Sequence, residues 1–204
     1  MTTEKYQIIS KKQLGYFVLN SSINDNKDLE NIYGNISYED PKNLDLDSFK
    51  PVDKIFSDAG IEIDGLDDLK KSYIENQNKL HEIIYDCGIA LIYIDKKLFE
   101  ITAHKECVNV NYNNHYIFKE HPKDIVDLFC STLDEYPLIN KQDIYFPKNH
   151  LTFWSFSEDV TPDGKIKWAN ENSEFYSEKS FTMYAGPRND DQTYDDYIVY
   201  KPDN

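Results

Sequence analysis

Between Cys87 and Cys130 the chain also carries His104, Cys107, His115 and His121, the ligand types that zinc prefers. Their spacing argues against a metal. There is no C-x-x-C and no H-x-x-x-H pair, His104 and Cys107 form one loose couple, and Cys87 and Cys130 fall on apolar faces of expected helices. A thiol nucleophile needs its base only nearby in space, so Cys107 with His104, His115 or His150 is the pairing to weigh. Cys107 stands at a loop-to-strand boundary where a thiolate would be exposed; otherwise it is a strand residue packing inward. The run Asp25, Asn26, Lys27, Asp28, Leu29, Glu30 mimics a calcium loop but puts Lys27 and Leu29 at ligand positions and Glu30 where glycine is required. With 37 acids in the chain, no particular carboxylate pair stands out for glycoside chemistry. No catalytic residue, metal or cofactor is therefore expected, and three cysteines in a chain of 204 residues read as reduced thiols without a disulfide.

The remaining chemistry is that of binding. The 37 acids oppose 22 basic residues, a net charge of -15, and thirteen of the acids against four lysines lie between positions 22 and 68. Such a field attracts a basic partner over about 8 Å of Debye length at physiological salt. Asp45, Asp47, Asp53, Asp58, Glu62 and Asp64 form the expected contact set. Arg188 is the sole arginine, which removes the planar fork used for phosphate recognition, so no direct nucleic-acid binding is expected. Phe153, Trp154, Phe156, Trp168, Phe175, Tyr176, Phe181 and Tyr184 crowd the C-terminal part. Strand alternation sends about half of them to each face, so core filling claims most, while Trp154 and Trp168 are candidate binding rings beside acids such as Glu158 and Glu171.

These groups must be positioned by a fold of α+β class: a mainly antiparallel twisted sheet with two helices packed on one face, and an irregular acidic segment near the N-terminus. Short apolar bursts at 6–9 and 16–19 suit strands. Residues 22–65 are rich in Asn, Asp and Ser with scattered apolar anchors, which reads as an irregular, partner-facing arm. A first helix is expected over about 64–87, with Asp64 as N-cap and Gly88 as its stop, and a second over 122–135, opened by Pro122 and ended by Pro137. Hairpins are expected at 89–102 and 108–118, and strands near 144–146, 151–156, 166–168, 181–185 and 197–200. The chain reads as a single domain, 1–204, whose core begins at 66.

The longest apolar run, 88–94, is far short of the roughly 20 residues that span a bilayer, so no membrane contact is expected, and the reduced-thiol reading of the three cysteines points to the cytoplasm. Acidity without catalytic spacing points to an inhibitor of the immunity-protein or antitoxin kind, neutralising a basic toxin, nuclease or DNA-binding enzyme. The alternatives are a phage-type DNA mimic acting against host defence and an enzyme with a thiol- or carboxylate-dependent site.

Overall fold

The computed structural model describes residues 4–61, 63, 65–188 and 194–202. Runs of β-branched and aromatic residues that alternate between a buried and a less buried side pair into one sheet, because a strand sends successive side chains to opposite faces. Among the described residues its strands are β1 (Ile36–Pro41), β2 (Leu80–Tyr85), β3 (Ile89–Ile94), β4 (Lys97–His104), β5 (Leu138–Asn140), β6 (Asp143–Phe146), β7 (Leu151–Trp154), β8 (Ser180–Tyr184) and β9 (Ile198–Val199). They lie in the order β9-β5-β6-β7-β8-β4-β3-β2-β1, with every neighbouring pair antiparallel. Two meanders, β1 to β4 and β5 to β7, are thus joined by β8, which enters between β4 and β7. With helices added, the class is α+β.

Register fixes what each face carries. On one face Leu91, Ile101, Met183 and Leu151 stand opposite one another, all fully buried. On the other face Thr102, Thr182 and Thr152 make a cross-strand row, with the Thr102 and Thr182 hydroxyls 2.9 Å apart. Arg188 anchors the later chain to this second face through a two-oxygen ion pair with the buried Asp143, at 2.8 and 3.0 Å, and the Tyr197 hydroxyl donates to the same carboxylate at 2.5 Å.

The apolar face has two covers. Helix Pro122–Leu133 starts with proline at its first turn and with the His121 ring accepting from the Lys123 N–H, and it ends at Asp134 in the left-handed conformation. Its buried residues Pro122, Ile125, Val126, Phe129 and Cys130 form one stripe. Phe129 is the hub, stacked on Tyr112 at 4.3 Å and edge-on to Phe153 at 4.9 Å. The other half, over β2 and β3, is covered by a ribbon of Ile8–Ile9, Gln13–Leu14 and Phe17–Val18 together with Tyr33. Phe17 stacks on Tyr33 at 4.4 Å and meets Tyr85 at 5.4 Å. Gly15 is obligatory there: its φ is +57°, and a Cβ would come within 1.9 Å of the Lys5 carbonyl oxygen and 2.2 Å of the Tyr33 hydroxyl.

Both expected hairpins occur, each turned by two residues of positive φ, Asp95–Lys96 and Asn113–Asn114. Several expectations are corrected. The segment 22–65 is not irregular: it holds a capped 3-10 stretch at Ile23–Leu29, a helical turn at Glu30–Tyr33, strand β1, a 3-10 turn at Leu46–Phe49 and a helix, α1 (Lys50–Asp58). The core does not begin at 66, because Ile8, Leu14, Phe17 and Tyr33 belong to it. The expected helix over 64–87 is a helix, α2, only at Leu66–Gln77; its second half is β2, whose Ile83 and Tyr85 are buried by sheet pairing with Leu91 and the ribbon. Apolar residues at 80, 83 and 84 satisfy a helical spacing, and the cross-strand partners decide for the strand. Helix α2 buries no apolar side chain, so the helix Pro122–Leu133, here α3, and the ribbon cover the sheet where two helices were expected. Its N-cap position is Gly65, without a side-chain cap, and Asp64 lies outside the described residues.

Candidate functional site

Between β1 and β2 the chain makes an excursion that carries most of the expected contact set. Its base is tied by Asn78, whose side chain accepts from the Leu44 N–H at 2.7 Å and donates to the Leu44 carbonyl at 2.9 Å. Asp45 then caps the 3-10 turn Leu46–Phe49 reciprocally with Ser48. Proline in the first turn opens α1, and α1 and α2 are held together by an ion pair of Asp53 with Lys70, while Phe49 sits edge-on to Tyr73 at 5.8 Å. Lys70 has a side chain only 8% exposed, so this ammonium is withdrawn from the surface.

The insert contributes no side chain to the buried core. Its apolar residues face outward instead: Leu46, Val52, Ile55, Ile61, Ile63, Leu69 and Tyr73 are seven of the sixteen exposed large apolar side chains among the described residues. Ile55 and Leu69 are the extremes, at 64% and 63% exposure. A groove of about 420 Å³ runs between Phe56, Ile61, Ile63 and Leu66, with Asp53 at its rim. A concentration of this kind on one small module is unusual, because isolated exposed apolar residues are ordinary but gathered ones mark interaction surfaces.

The expected contact residues divide accordingly. Asp45, Asp47, Asp53 and Asp58 are all on the insert. Asp45 is committed to its cap, Asp47 pairs with Lys50 at 2.9 Å in full exposure, and Asp53 is engaged by Lys70. Asp58 sits at the C-terminal end of α1, where the helix dipole opposes a negative charge. Glu62 and Asp64 lie outside the described residues. The two tryptophans are on other elements. Trp154 is exposed on β7 opposite Asp143 and Ser180, and Trp168 rests edge-on against Tyr200 at 5.3 Å and packs on the core. Of the crowded C-terminal rings, Phe153, Phe156 and Phe181 fill the core. Sequence reasoning found the charges of the insert and missed its apolar face; the helical spacing of Val52, Ile55 and Phe56 without a facing apolar element was the available signal.

The thiols are placed differently from the expectation. Cys130 is buried on α3, but Cys87 lies in the turn after β2, half-buried, and Cys107 is buried at 4% exposure. Cys107, a free thiol, is a poor attacking group at rest: its contact with the Cys87 thiol and its burial both push it upward. Of the histidines, His115 meets Glu120 at 2.8 Å and His121 caps α3. Among the described residues no three His, Cys, Asp or Glu side chains converge in a way that could hold a metal ion, and no helix is long and apolar enough to cross a membrane.

A second concavity of about 440 Å³ opens between β1, β2 and the 3-10 stretch Ile23–Leu29. Ile36, Ile83 and Tyr85 line it, and His81 meets Glu39 there at 2.8 Å. Elsewhere Lys179 is buried to 1% exposure between the rings of Phe156 and Tyr176, at 5.0 and 4.2 Å, and desolvation, with a smaller push from Lys105, lowers it to about 8.

No protein-family model, no curated protein and no solved structure matches this chain.

Proposed function

We propose that this chain is an acidic binding protein that captures and neutralises a basic protein partner on the helical insert, in the manner of an immunity protein or antitoxin. The observation that carries this reading is the exposure of Val52, Ile55, Leu69 and Tyr73 on a module that gives nothing to the core and holds nine acids against four lysines over 44–77. Covering such side chains gains about 25 cal/mol per Å². The carboxylates around them raise the encounter rate with a cationic surface, and the apolar contacts then slow release. Asp58, held at the unfavourable end of a helix, gains from a partner cation more than an ordinary surface acid does. A DNA mimic is the weaker reading, because Asp47 and Asp53 already have lysine partners and a phosphate track has no use for exposed Ile55 and Leu69.

The test is site-specific photo-crosslinking in the source cells, with the photoreactive residue at Leu69 and, as control, at Trp154. A basic protein should be trapped from position 69. Yield should fall with added salt and in the triple variant Asp45→Asn, Asp47→Asn, Asp58→Asn. Trapping of an acidic protein, or equal trapping from both positions, would overturn the reading.

A further inference from the structure

The turn after β2 and the turn after β4 lie side by side. From the pair Ile89↔Ala103 the ladder continues with the His104 N–H donating to the Gly88 carbonyl at 2.8 Å, and the chain then folds back through a Cys107 N–H bond to the His104 carbonyl at 2.8 Å. This return brings the Cys107 amide against Gly88, where an added Cβ would stand 3.5 Å from the Cys107 nitrogen. Cys87 and Cys107, twenty positions apart in sequence, thereby come close enough for their side chains to hydrogen-bond to each other. The two are unequal. Cys87 is half-buried and reachable, whereas Cys107 is buried behind it.

We propose that Cys87 and Cys107 are a redox-active dithiol, with Cys87 the attacking sulfur towards low-molecular-weight disulfides and Cys107 the sulfur that resolves the product. The inequality of the pair supports these roles. The contact with Cys107 is the largest influence on Cys87 and, with the Ile89 N–H and the Lys5 ammonium, outweighs desolvation to bring the thiol down to about 7, while Cys107 is pushed up by the same contact and by burial. An attacking thiol works best when it ionises near the ambient pH. In the first step the Cys87 thiolate bonds to one sulfur of the small disulfide and expels the other as a thiolate. That thiolate takes the Cys107 proton, and the Cys107 sulfur then displaces the second small thiolate from Cys87. The second small thiolate takes up from solvent the proton that Cys87 released on ionising, so the protein dithiol loses two electrons to become a disulfide and the small disulfide is reduced to two thiols. Cys130, the third thiol, has no such neighbour: burial and the Asp127 charge raise it to about 12.

Full-length protein equilibrated with oxidised glutathione tests this by intact mass and peptide mapping. The wild type should lose two hydrogens and yield linked Cys87 and Cys107 peptides. Cys107→Ser should instead accumulate one glutathione on Cys87, and Cys87→Ser should do neither. Iodoacetamide at pH 7 should label Cys87 at least ~10-fold faster than Cys130. Three free thiols in oxidised wild type, or glutathione on Cys130 with Cys87 and Cys107 unlinked, would overturn the proposal. Should a serine variant fold poorly, mapping of the wild type decides alone.

Discussion

If the insert is a binding appendage, the sheet should fold without it. The perturbation is replacement of Asn43–Lys79, 37 residues, by Asn-Gly, which turns β1 and β2 into a tight hairpin. The geometry allows it, because Pro41 already pairs with His81 and the Lys42 N–H bonds to the Leu80 carbonyl at 3.3 Å. The excision removes one sheet-end hydrogen bond, from the Asp95 N–H to the Lys79 carbonyl, a loss of about 1 kcal/mol. Shortening the connection from 37 to 2 residues recovers roughly 2.5 kcal/mol of closure entropy if the excised chain is treated as flexible. No core side chain is lost. The net is near zero or slightly favourable, and at roughly 2–4 °C per kcal/mol the melting temperature should stay within about 5 °C of the parent. Circular dichroism melts and urea titrations measure this, and the urea slope should fall because less surface is exposed on unfolding. A drop beyond about 10 °C, or loss of a cooperative transition, would refute the separation of appendage from core. In the same variant, crosslinking from Trp154 should recover no basic partner.

Phe129→Ala should cost about 4 kcal/mol, since the ring is fully buried among Tyr112, Phe153 and Phe181; a loss below about 1.5 kcal/mol in urea would mean the site collapses without a cavity. Lys179→Met should stabilise the protein. In the folded state this ammonium is lowered from 10.5 to about 8, so between those values the unfolded chain binds more protons and wild-type stability rises with pH; below about pH 8 the penalty is constant. Removing it should gain on the order of 2 kcal/mol at pH 7 and flatten that slope, and an unchanged slope would refute the assignment.

Local signals were legible where they were self-sufficient. Pro122 and the stripe Ile125, Val126, Phe129 define α3 without help from elsewhere, and Asp95–Lys96 and Asn113–Asn114 announce their turns. Strand β2 reads as helix in the sequence because Leu80, Ile83 and Ile84 fit both periods, and only pairing with β1 and β3 distinguishes them. Strand β1, with Ser37, Glu39 and Asp40, has little apolar content of its own and exists because β2 offers it an edge. At the candidate site, the carboxylates could be counted from the sequence, but which were already paired could not, since Asp53 meets Lys70 only after α1 and α2 come together. The approach of Cys87 and Cys107 likewise depends on two turns meeting across a ladder.

The placement of β8 bears on how the chain is made. Thr182 reaches Thr102 across 80 positions, and until Ser180–Tyr184 arrives both β4 and β7 present open edges with unpaired backbone groups. During synthesis the first meander therefore waits, half-finished, while the ribosome delivers the chain as far as β8. Non-local closure of this kind is slow, and the waiting edges invite pairing with another nascent chain. Nonsense or frameshift products ending before Ser180 should accumulate as aggregates rather than as smaller folded proteins, making this strand the keystone on which the yield of the molecule depends.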